Sequence, residues 1–294
     1  MKRYRDVEGD GGSGIVGQVT EKLGLLNERM AKVRRKVAVM SGKGGVGKST
    51  VTVGLASALA ARGLRVGILD ADLNGPSIPD MMGIDAAVEH GPGGAIPAEA
   101  FSIKAMSMDL FLASPERHVR WDGPSETSPW VSTFEATALR ELLADTAWGE
   151  LDMLLIDLPP GHTRFNDLSG LLPGLDGVVM VTTPSEVSNL IVLKSINKVK
   201  ESGVPVAGIL ENMMGYTCVH CGGKNELFAG EDMREAFEYA GVPCLGRVTF
   251  DRALSDLKGY LAGGKCVARG IFDEIGGKVL DFVETSKEKR GKGE

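Results

Sequence analysis

The chain has 294 residues, with 33 basic and 39 acidic side chains that give a net charge of −6. Forty glycines are about twice the usual share, whereas aromatic residues make up only 5%. This composition excludes disordered, collagen-like and coiled-coil proteins, and four cysteines are too few for a disulfide-stapled secreted scaffold. The acidic balance argues against a general nucleic-acid binder. We therefore expect a globular protein whose core is built from aliphatic side chains.

No run of about 18 apolar residues is present, so we expect no membrane span and no membrane partner. The segment 1–14 is charged and rich in glycine, and it lacks the apolar stretch of a secretory signal. These features favour a cytoplasmic protein with reduced thiols.

Along the chain, residues 1–35 are expected to form a flexible arm (1–17) and an amphipathic helix (20–35). From residue 36 onward, apolar strands alternate with helical stretches. The segment 84–133 is irregular, with two strands expected near Ile103 and Leu110. A helix containing Ile271 and Val283 precedes a polar tail at 286–294, so 36–285 is the expected main domain. The predicted strands are 37–40, 65–70, 151–157, 177–182, 206–210 and 244–248, and the predicted helices are 49–61, 134–144, 185–201 and 231–240.

Continuous apolar strands that alternate with helices indicate a sheet covered on both faces. The predicted fold class is therefore α/β, with a doubly wound, mostly parallel sheet and helices on both of its faces.

A phosphate-binding loop follows the first of these strands. The segment Gly42-Lys-Gly-Gly-Val-Gly-Lys-Ser49 fits G-x-x-x-x-G-K-[ST] between a predicted strand and a predicted helix. Glycines let the backbone fold around phosphates with its N–H groups inward, Lys48 supplies charge, and the Ser49 hydroxyl is a ligand for Mg²⁺. The candidate nucleotide-binding residues of the loop are Gly42, Lys43, Gly44, Gly45, Val46, Gly47, Lys48, Ser49 and Thr50.

The second lysine of the loop, Lys43, makes it similar to the deviant Walker A motif of the MinD/ParA class of P-loop ATPases. In that class the early lysine reaches the nucleotide of a partner subunit. The resemblance therefore implies a homodimer that sandwiches two ATP molecules, with Lys43, Lys48 and Asp72 as catalytic residues. The alternative is that Lys43 is a solvated loop charge.

Carboxylates follow two predicted strands, where ligand sites of α/β sheets gather. Asp157 ends an apolar strand in the manner of a Walker B motif, which would hold Mg²⁺ through water. By resemblance, Asp72 positions the attacking water, Asp70 supports the Mg²⁺ shell, and Gly161 belongs to the switch that senses the γ-phosphate. The alternative for each aspartate is a helix cap or a surface charge.

Cys218-Val-His-Cys221 places two thiols at a spacing that can hold one face of a metal or cluster. Two ligands cannot complete a four-thiolate site, so either Cys244 and Cys266 join them or a second chain does. Buried structural thiols are the favoured interpretation of Cys244 and Cys266. His220 is expected to face solvent, and nothing resembles a thioredoxin-like redox unit.

The order of these motifs, from Lys43 through Asp70-Ala-Asp72 and Asp157 to Asn212 and Cys218-Val-His-Cys221, resembles the Mrp/Nbp35-type (ApbC-like) iron–sulfur cluster carrier ATPases. Trp121-Asp-Gly-Pro124 and Trp148-Gly-Glu-Leu-Asp152 look like further segments of that family. The resemblance covers about 36–265.

The resemblance implies that Cys218 and Cys221 of two protomers bridge a [4Fe–4S] cluster, which is passed to apo iron–sulfur target proteins. It also implies ATP and Mg²⁺ as cofactors, slow hydrolysis, and Asn212 as the reader of adenine. For Asn212 the alternative is a turn-forming residue.

The sequence departs from this family at two places. Residues 162–167 (His-Thr-Arg-Phe-Asn-Asp) replace a shorter Thr-Gly-Asp stretch, and Asn74 stands where a tyrosine is common. These departures bear on the hydrolysis rate and its coupling to cluster transfer, and not on nucleotide binding.

Two other functions fit parts of the sequence. A MinD/ParA-like positioning or partitioning ATPase would need a membrane-binding or DNA-binding face, and the mixed-charge tail carries no apolar stripe. A nucleotide-binding scaffold that clasps Zn²⁺ through the cysteines is the other alternative.

Overall fold

The computed structural model describes residues 15–112, 129–218, 220–228 and 234–291. Residues 1–14 of the arm expected at 1–17 and the family-like segment 121–124 lie outside these ranges. No helix in the described ranges has the length and apolarity that a membrane crossing requires.

The described strands form one large sheet and two small hairpins. In the large sheet every neighbouring pair is parallel except one at the edge, where β5 runs antiparallel to β6. The strand order is β12-β9-β8-β1-β7-β2-β6-β5, while β3 pairs with β4 and β10 with β11. The strands are β1 (Lys36–Ser41), β2 (Val66–Asp70), β3 (Glu89–Gly91), β4 (Gly94–Ile96), β5 (Ala98–Ala100), β6 (Ile103–Met106), β7 (Met153–Asp157), β8 (Gly177–Thr182), β9 (Val206–Glu211), β10 (Tyr216–Thr217), β11 (Lys224–Asn225) and β12 (Cys244–Arg247).

Helices cover both faces of the large sheet, and each face has its own apolar core. One face is covered by α1, α4, α5, α6 and α7, and the other by α2, α3, α8 and α9. The helices are α1 (Ile15–Ala31), α2 (Lys48–Ala61), α3 (Ile78–Met82), α4 (Pro129–Asp145), α5 (Thr163–Leu171), α6 (Glu186–Glu201), α7 (Arg234–Tyr239), α8 (Leu257–Leu261) and α9 (Ala268–Gly291).

The predicted α/β class and doubly wound sheet are confirmed. The central strands β7, β8 and β9 are buried along their whole length, and β1 is buried from Val37 to Ser41, which explains their continuous apolar sequences.

Several local predictions need correction. The prediction of a strand near Leu110 is wrong, because Met108–Phe111 forms a 3-10 helix. The Ser107 hydroxyl caps this helix by accepting the Asp109 N–H. The strand expected near Ile103 is confirmed as β6, and the described part of 84–133 holds three further short strands, β3, β4 and β5. The first helix lies earlier than 20–35, and α9 continues through Gly291 into the expected tail.

The sheet register brings the site residues to one edge. Asp70, the last residue of β2, is directly opposite Asp157, the last residue of β7. On its other side β7 pairs with β1, and the loop 42–47 connects β1 to α2. Parallel strands present their carboxyl ends together, so the phosphate loop and both aspartates meet at this edge.

Packing between α2 and α9 depends on Gly54. A Cβ added there would lie 2.5 Å from the buried Phe272 ring. We expect Gly54→Ala to lower the free energy of unfolding by about 1–3 kcal/mol, since the ring must shift. Gly270→Ala in α9, where nothing lies within 4 Å of the added carbon, is the matched control and should lose no stability. Urea unfolding of both variants checks this, and equal midpoints would contradict it.

Candidate functional site

The loop between β1 and α2 has the shape of a phosphate cradle. Gly45 and Gly47 have φ angles of 77° and 79°, which side-chain-bearing residues rarely adopt. A Cβ on Gly47 would lie 2.3 Å from the Asn212 amide nitrogen, and one on Gly42 would lie 2.6 Å from the Ile191 side chain. The glycines are therefore required by backbone conformation and by close packing.

The loop encloses a cavity of about 200 Å³. Its lining combines backbone N–H groups at a helix N-terminus with a lysine, which is the usual arrangement for binding phosphates. The predicted residues that line it are Lys43, Gly44, Gly45, Val46, Gly47, Lys48, Ser49, Thr50 and Asp72, joined by Ser41, Met81 and Pro160.

Asp157 is fully buried beneath this loop and is neutralised by the start of α2. The Lys48 ammonium lies 2.7 Å from Asp157 Oδ2, and the Ser49 hydroxyl donates to the same oxygen at 2.6 Å. The Thr52 hydroxyl donates to Oδ1 at 2.7 Å. Sequence reasoning missed Thr52, although its position one turn after Lys48 places it on the same helix face.

Asp157 and Ser49 fit a bound Mg²⁺. Both offer hard oxygen atoms, which Mg²⁺ prefers, and they already lie within hydrogen-bond distance of each other. When bound, the ion would neutralise phosphate charge. Phosphates in the cavity would compete with Asp157 for the Lys48 ammonium.

Asp70 anchors the loop that carries Asp72. Its carboxylate accepts the backbone N–H groups of Ser77 at 2.8 Å, Ile78 at 3.0 Å and Asp72 at 3.2 Å. Burial and the neighbouring Asp157 raise the pKa of Asp70 to about 7. Burial also raises the pKa of Asp72. Through these hydrogen bonds Asp70 fixes the loop that carries Asp72. Its support of a Mg²⁺ shell stays a prediction.

The predicted switch segment contacts the end of β1, just before the phosphate loop. The Gly161 N–H donates to the Ser41 carbonyl at 2.9 Å, and Gly161 has a φ of 90°. The residues after His162 then form α5, a helix that the sequence analysis did not predict. The altered stretch at 162–167 is thus the beginning of a helix.

Asn212 and Lys43 make contacts that their predicted roles do not involve. The Asn212 amide donates to the Val46 carbonyl at 2.9 Å, so this buried side chain supports the phosphate loop from below. Adenine recognition by Asn212 stays a prediction. The Lys43 ammonium lies 3.3 Å from the Ser185 hydroxyl within its own chain. Its reach across a dimer also stays a prediction.

Cys218 and Cys221 lie at the tip of the β10–β11 hairpin. The Cys218 N–H donates to the Gly223 carbonyl, and the Gly222 N–H donates to the Cys218 carbonyl, both at 2.9 Å. Backbone N–H groups of Cys221 and His220 lower the pKa of the Cys218 thiol. Cys221 and His220 are exposed. The tip therefore places Cys221 at the surface, close in sequence to the half-buried Cys218.

The other two cysteines are separate from this pair. Cys244 lies on β12, near Glu211, and Cys266 donates to Asp251 at 3.2 Å. Both are half-buried rather than fully buried, so the expectation of core thiols holds only in part. In the described ranges, no three His, Cys, Asp or Glu side chains gather as a metal site.

Comparison with known proteins decides the family. A family model described as ParA, NUBPL iron-transfer P-loop NTPase, matches residues 32–267. The chain belongs to this family. The resemblance to Mrp/Nbp35-type carriers is thereby confirmed, and the chain is a P-loop NTPase.

Two relatives illustrate the similarity. It is 40% identical over 270 residues to an iron-sulfur cluster carrier protein of Methanocaldococcus jannaschii, covering 90% of each chain. It is 40% identical over 232 residues to the cytosolic Fe-S cluster assembly factor NUBP2 of Homo sapiens, covering 76% of this chain and 82% of that one.

Two solved structures have a similar fold. A nucleotide-binding protein from Archaeoglobus fulgidus in complex with ADP is 35% identical, with a TM-score of 0.67 over 81% of this chain and 91% of that one. The cell division ATPase MinD of Pyrococcus furiosus is 19% identical with a TM-score of 0.56, covering 84% and 99% of the two chains, and it supports the fold alone.

The raised pKa of Asp70 predicts a pH-dependent stability. Between its ordinary pKa of 3.8 and its folded pKa of about 7, the folded chain holds a proton that the unfolded chain has lost. The free energy of unfolding should therefore fall as the pH rises through this range. Urea unfolding in EDTA without nucleotide, at pH 5 and pH 7.5, should show a larger loss for the wild type than for Asp70→Asn. Parallel losses in the two proteins would contradict the prediction.

Proposed function

We propose that this chain is an ATP-hydrolysing carrier that holds a [4Fe–4S] cluster between two protomers and delivers it to apo iron–sulfur proteins. The observation that carries the proposal is the continuous segment from Asn212 to Cys218. Asn212 supports the phosphate loop, and the hairpin with the cysteines begins a few residues later. The chain's membership of an iron-transfer NTPase family and the names of its relatives support the same function.

Hydrolysis would proceed by positioning and charge neutralisation. Lys48 would leave Asp157 for the phosphates, while Ser49 and Asp157 would hold Mg²⁺. Asp72, which lines the cavity, would position the attacking water. Lys43 would exchange Ser185 for the phosphates of the partner's nucleotide, so turnover would stay slow until two protomers meet.

Two chains would supply the ligands of the cluster. Each hairpin offers Cys218 and Cys221, and a [4Fe–4S] cluster takes four thiolates. The lowered pKa of the Cys218 thiol favours the thiolate that iron binds. The exposure of Cys221 leaves room for a second hairpin to approach.

Nucleotide state would reach the cluster through the segment after β9. Met213, next to Asn212, has a φ of 57°, and the Met214 N–H donates to the Val248 carbonyl. The Phe250 N–H then donates to the Gly215 carbonyl at 2.6 Å. These contacts lead from the loop that would hold phosphate to the base of the hairpin, so a shift of the loop would change the approach of the two cysteine pairs.

Cluster binding should depend on the hairpin cysteines alone. After anaerobic reconstitution with iron and sulfide, we expect about four iron atoms per wild-type dimer and little iron in Cys218→Ala. Cys266→Ala, which removes a half-buried thiol elsewhere, is the control and should load like the wild type. Iron, zinc and acid-labile sulfide analysis checks this. Full loading of Cys218→Ala would contradict it, as would a zinc-only dimer that does not hydrolyse ATP.

The two loop lysines should differ in their effects. Lys48→Ala removes the charge beneath the phosphates, and we expect it to abolish nucleotide binding. Lys43→Ala should leave nucleotide affinity unchanged and lower ATP turnover by about tenfold or more, because Lys43 would contact the nucleotide that is bound to the other protomer. Titration with a fluorescent ATP analogue and a steady-state ATPase assay separate the two effects. Equal loss of nucleotide affinity in both variants would contradict the dimeric site.

A further inference from the structure

Two residues that depart from the family pattern meet at one carboxylate. Asn74 lies in the loop after Asp72, and Arg164 lies in the first turn of α5, after the switch glycine. The Asn74 amide donates to Glu135 Oε1 at 2.7 Å, and the Arg164 guanidinium pairs with Glu135 Oε2. Glu135 belongs to α4, far from both loops in sequence.

The Glu135 carboxylate is well suited to fix these two loops. It is only 5% exposed, and a buried carboxylate is stable when it is paired and hydrogen-bonded. Arg164 also pairs with Asp167 at 2.7 Å, which fixes the direction of its guanidinium. A buried charge-assisted contact with two partners allows one arrangement of the loops and penalises others.

Both loops are also anchored at the nucleotide site. Asp70 holds the loop of Asn74 at Asp72, Ser77 and Ile78. The Gly161 N–H holds the switch segment to the end of β1. Among the described residues that line the phosphate cavity, Asp72 and Pro160 come from these two loops, whereas Glu135 does not line it.

We propose that Glu135 is a positioning residue that joins the Asp72 loop to the switch segment, so that the two move as one unit during ATP hydrolysis. This inference rests on the proposed hydrolysis with Asp72 at the attacking water. Through Asn74, Glu135 sets the position of the Asp72 loop. Through Arg164, it ties that position to the segment that would respond to the γ-phosphate.

The first test separates turnover from binding. Glu135→Gln keeps the size of the side chain and removes the charge that pairs with Arg164. We expect kcat for ATP to fall by about ten- to hundredfold, since a small misplacement of the water-positioning loop is costly. The Kd for the nucleotide and the iron loading should stay within about twofold of the wild type. Glu141→Gln, at an exposed position on the same helix, is the matched control.

A double-mutant cycle on kcat tests whether the three residues act together. Asn74→Ala and Arg164→Ala should each lower kcat, and Glu135→Gln should add little to either, because the link is already broken. Additive losses would overturn the proposal, as would a Glu135→Gln enzyme with the turnover of the Glu141→Gln control. A parallel fall of kcat and nucleotide affinity would also overturn it by indicating a general structural role.

A second measurement does not depend on hydrolysis. Amide hydrogen exchange with bound ADP should become faster across 161–168 in Asn74→Ala, although Asn74 lies in the other loop. Exchange across 72–76 should likewise become faster in Arg164→Ala. Faster exchange that is confined to the loop carrying the substitution would overturn the proposal. This result would stand even if the wild type proved unable to hydrolyse ATP, so the two proposals can fail separately.

Discussion

Asp157 lies at the carboxyl end of β7 with no exposed surface, and its charge must be neutralised by the chain itself. Three groups from the first turns of α2 do this, namely the Lys48 ammonium and the hydroxyls of Ser49 and Thr52. The same contacts fix the start of α2 and therefore the loop before it. One carboxylate thus fixes the start of α2 and the end of the phosphate loop.

The loops at neighbouring strand ends depend on this arrangement. Asp70 is opposite Asp157 in the sheet and accepts hydrogen bonds from the loop that carries Asp72. Asn212, directly after β9, donates a hydrogen bond to the phosphate loop. The cysteine hairpin follows Asn212 directly. Under the proposed function, a change of charge at the phosphate loop would act on the Asp72 loop and on the segment that leads from Asn212 to the cysteine hairpin. The site explains part of the glycine excess, since Gly45, Gly47 and Gly161 have positive φ angles that glycine adopts readily.

Sequence patterns predicted the sheet because β1, β7, β8 and β9 are buried on both faces and so have continuous apolar sequences. They also located the phosphate loop, because its glycines are required by the local backbone conformation. Glu135 could not be predicted, since its role depends on where α4 packs in three dimensions. Asn74 and Arg164 stood out as departures, but their common partner is invisible in the sequence. The strands of the hairpins were missed because two or three residues carry no periodicity.

In the proposed function, the nucleotide site and the cysteine pair are energetically linked. Linkage is reciprocal, so a nucleotide that changes the hold on the cluster must bind differently when the cluster is present. The most direct measurement is the Kd of a slowly hydrolysed ATP analogue with Mg²⁺, determined anaerobically for cluster-free and cluster-loaded wild-type protein. If the two sites are linked, the two Kd values should differ by about fivefold or more. Equal Kd values in protein shown to carry a full cluster would contradict it.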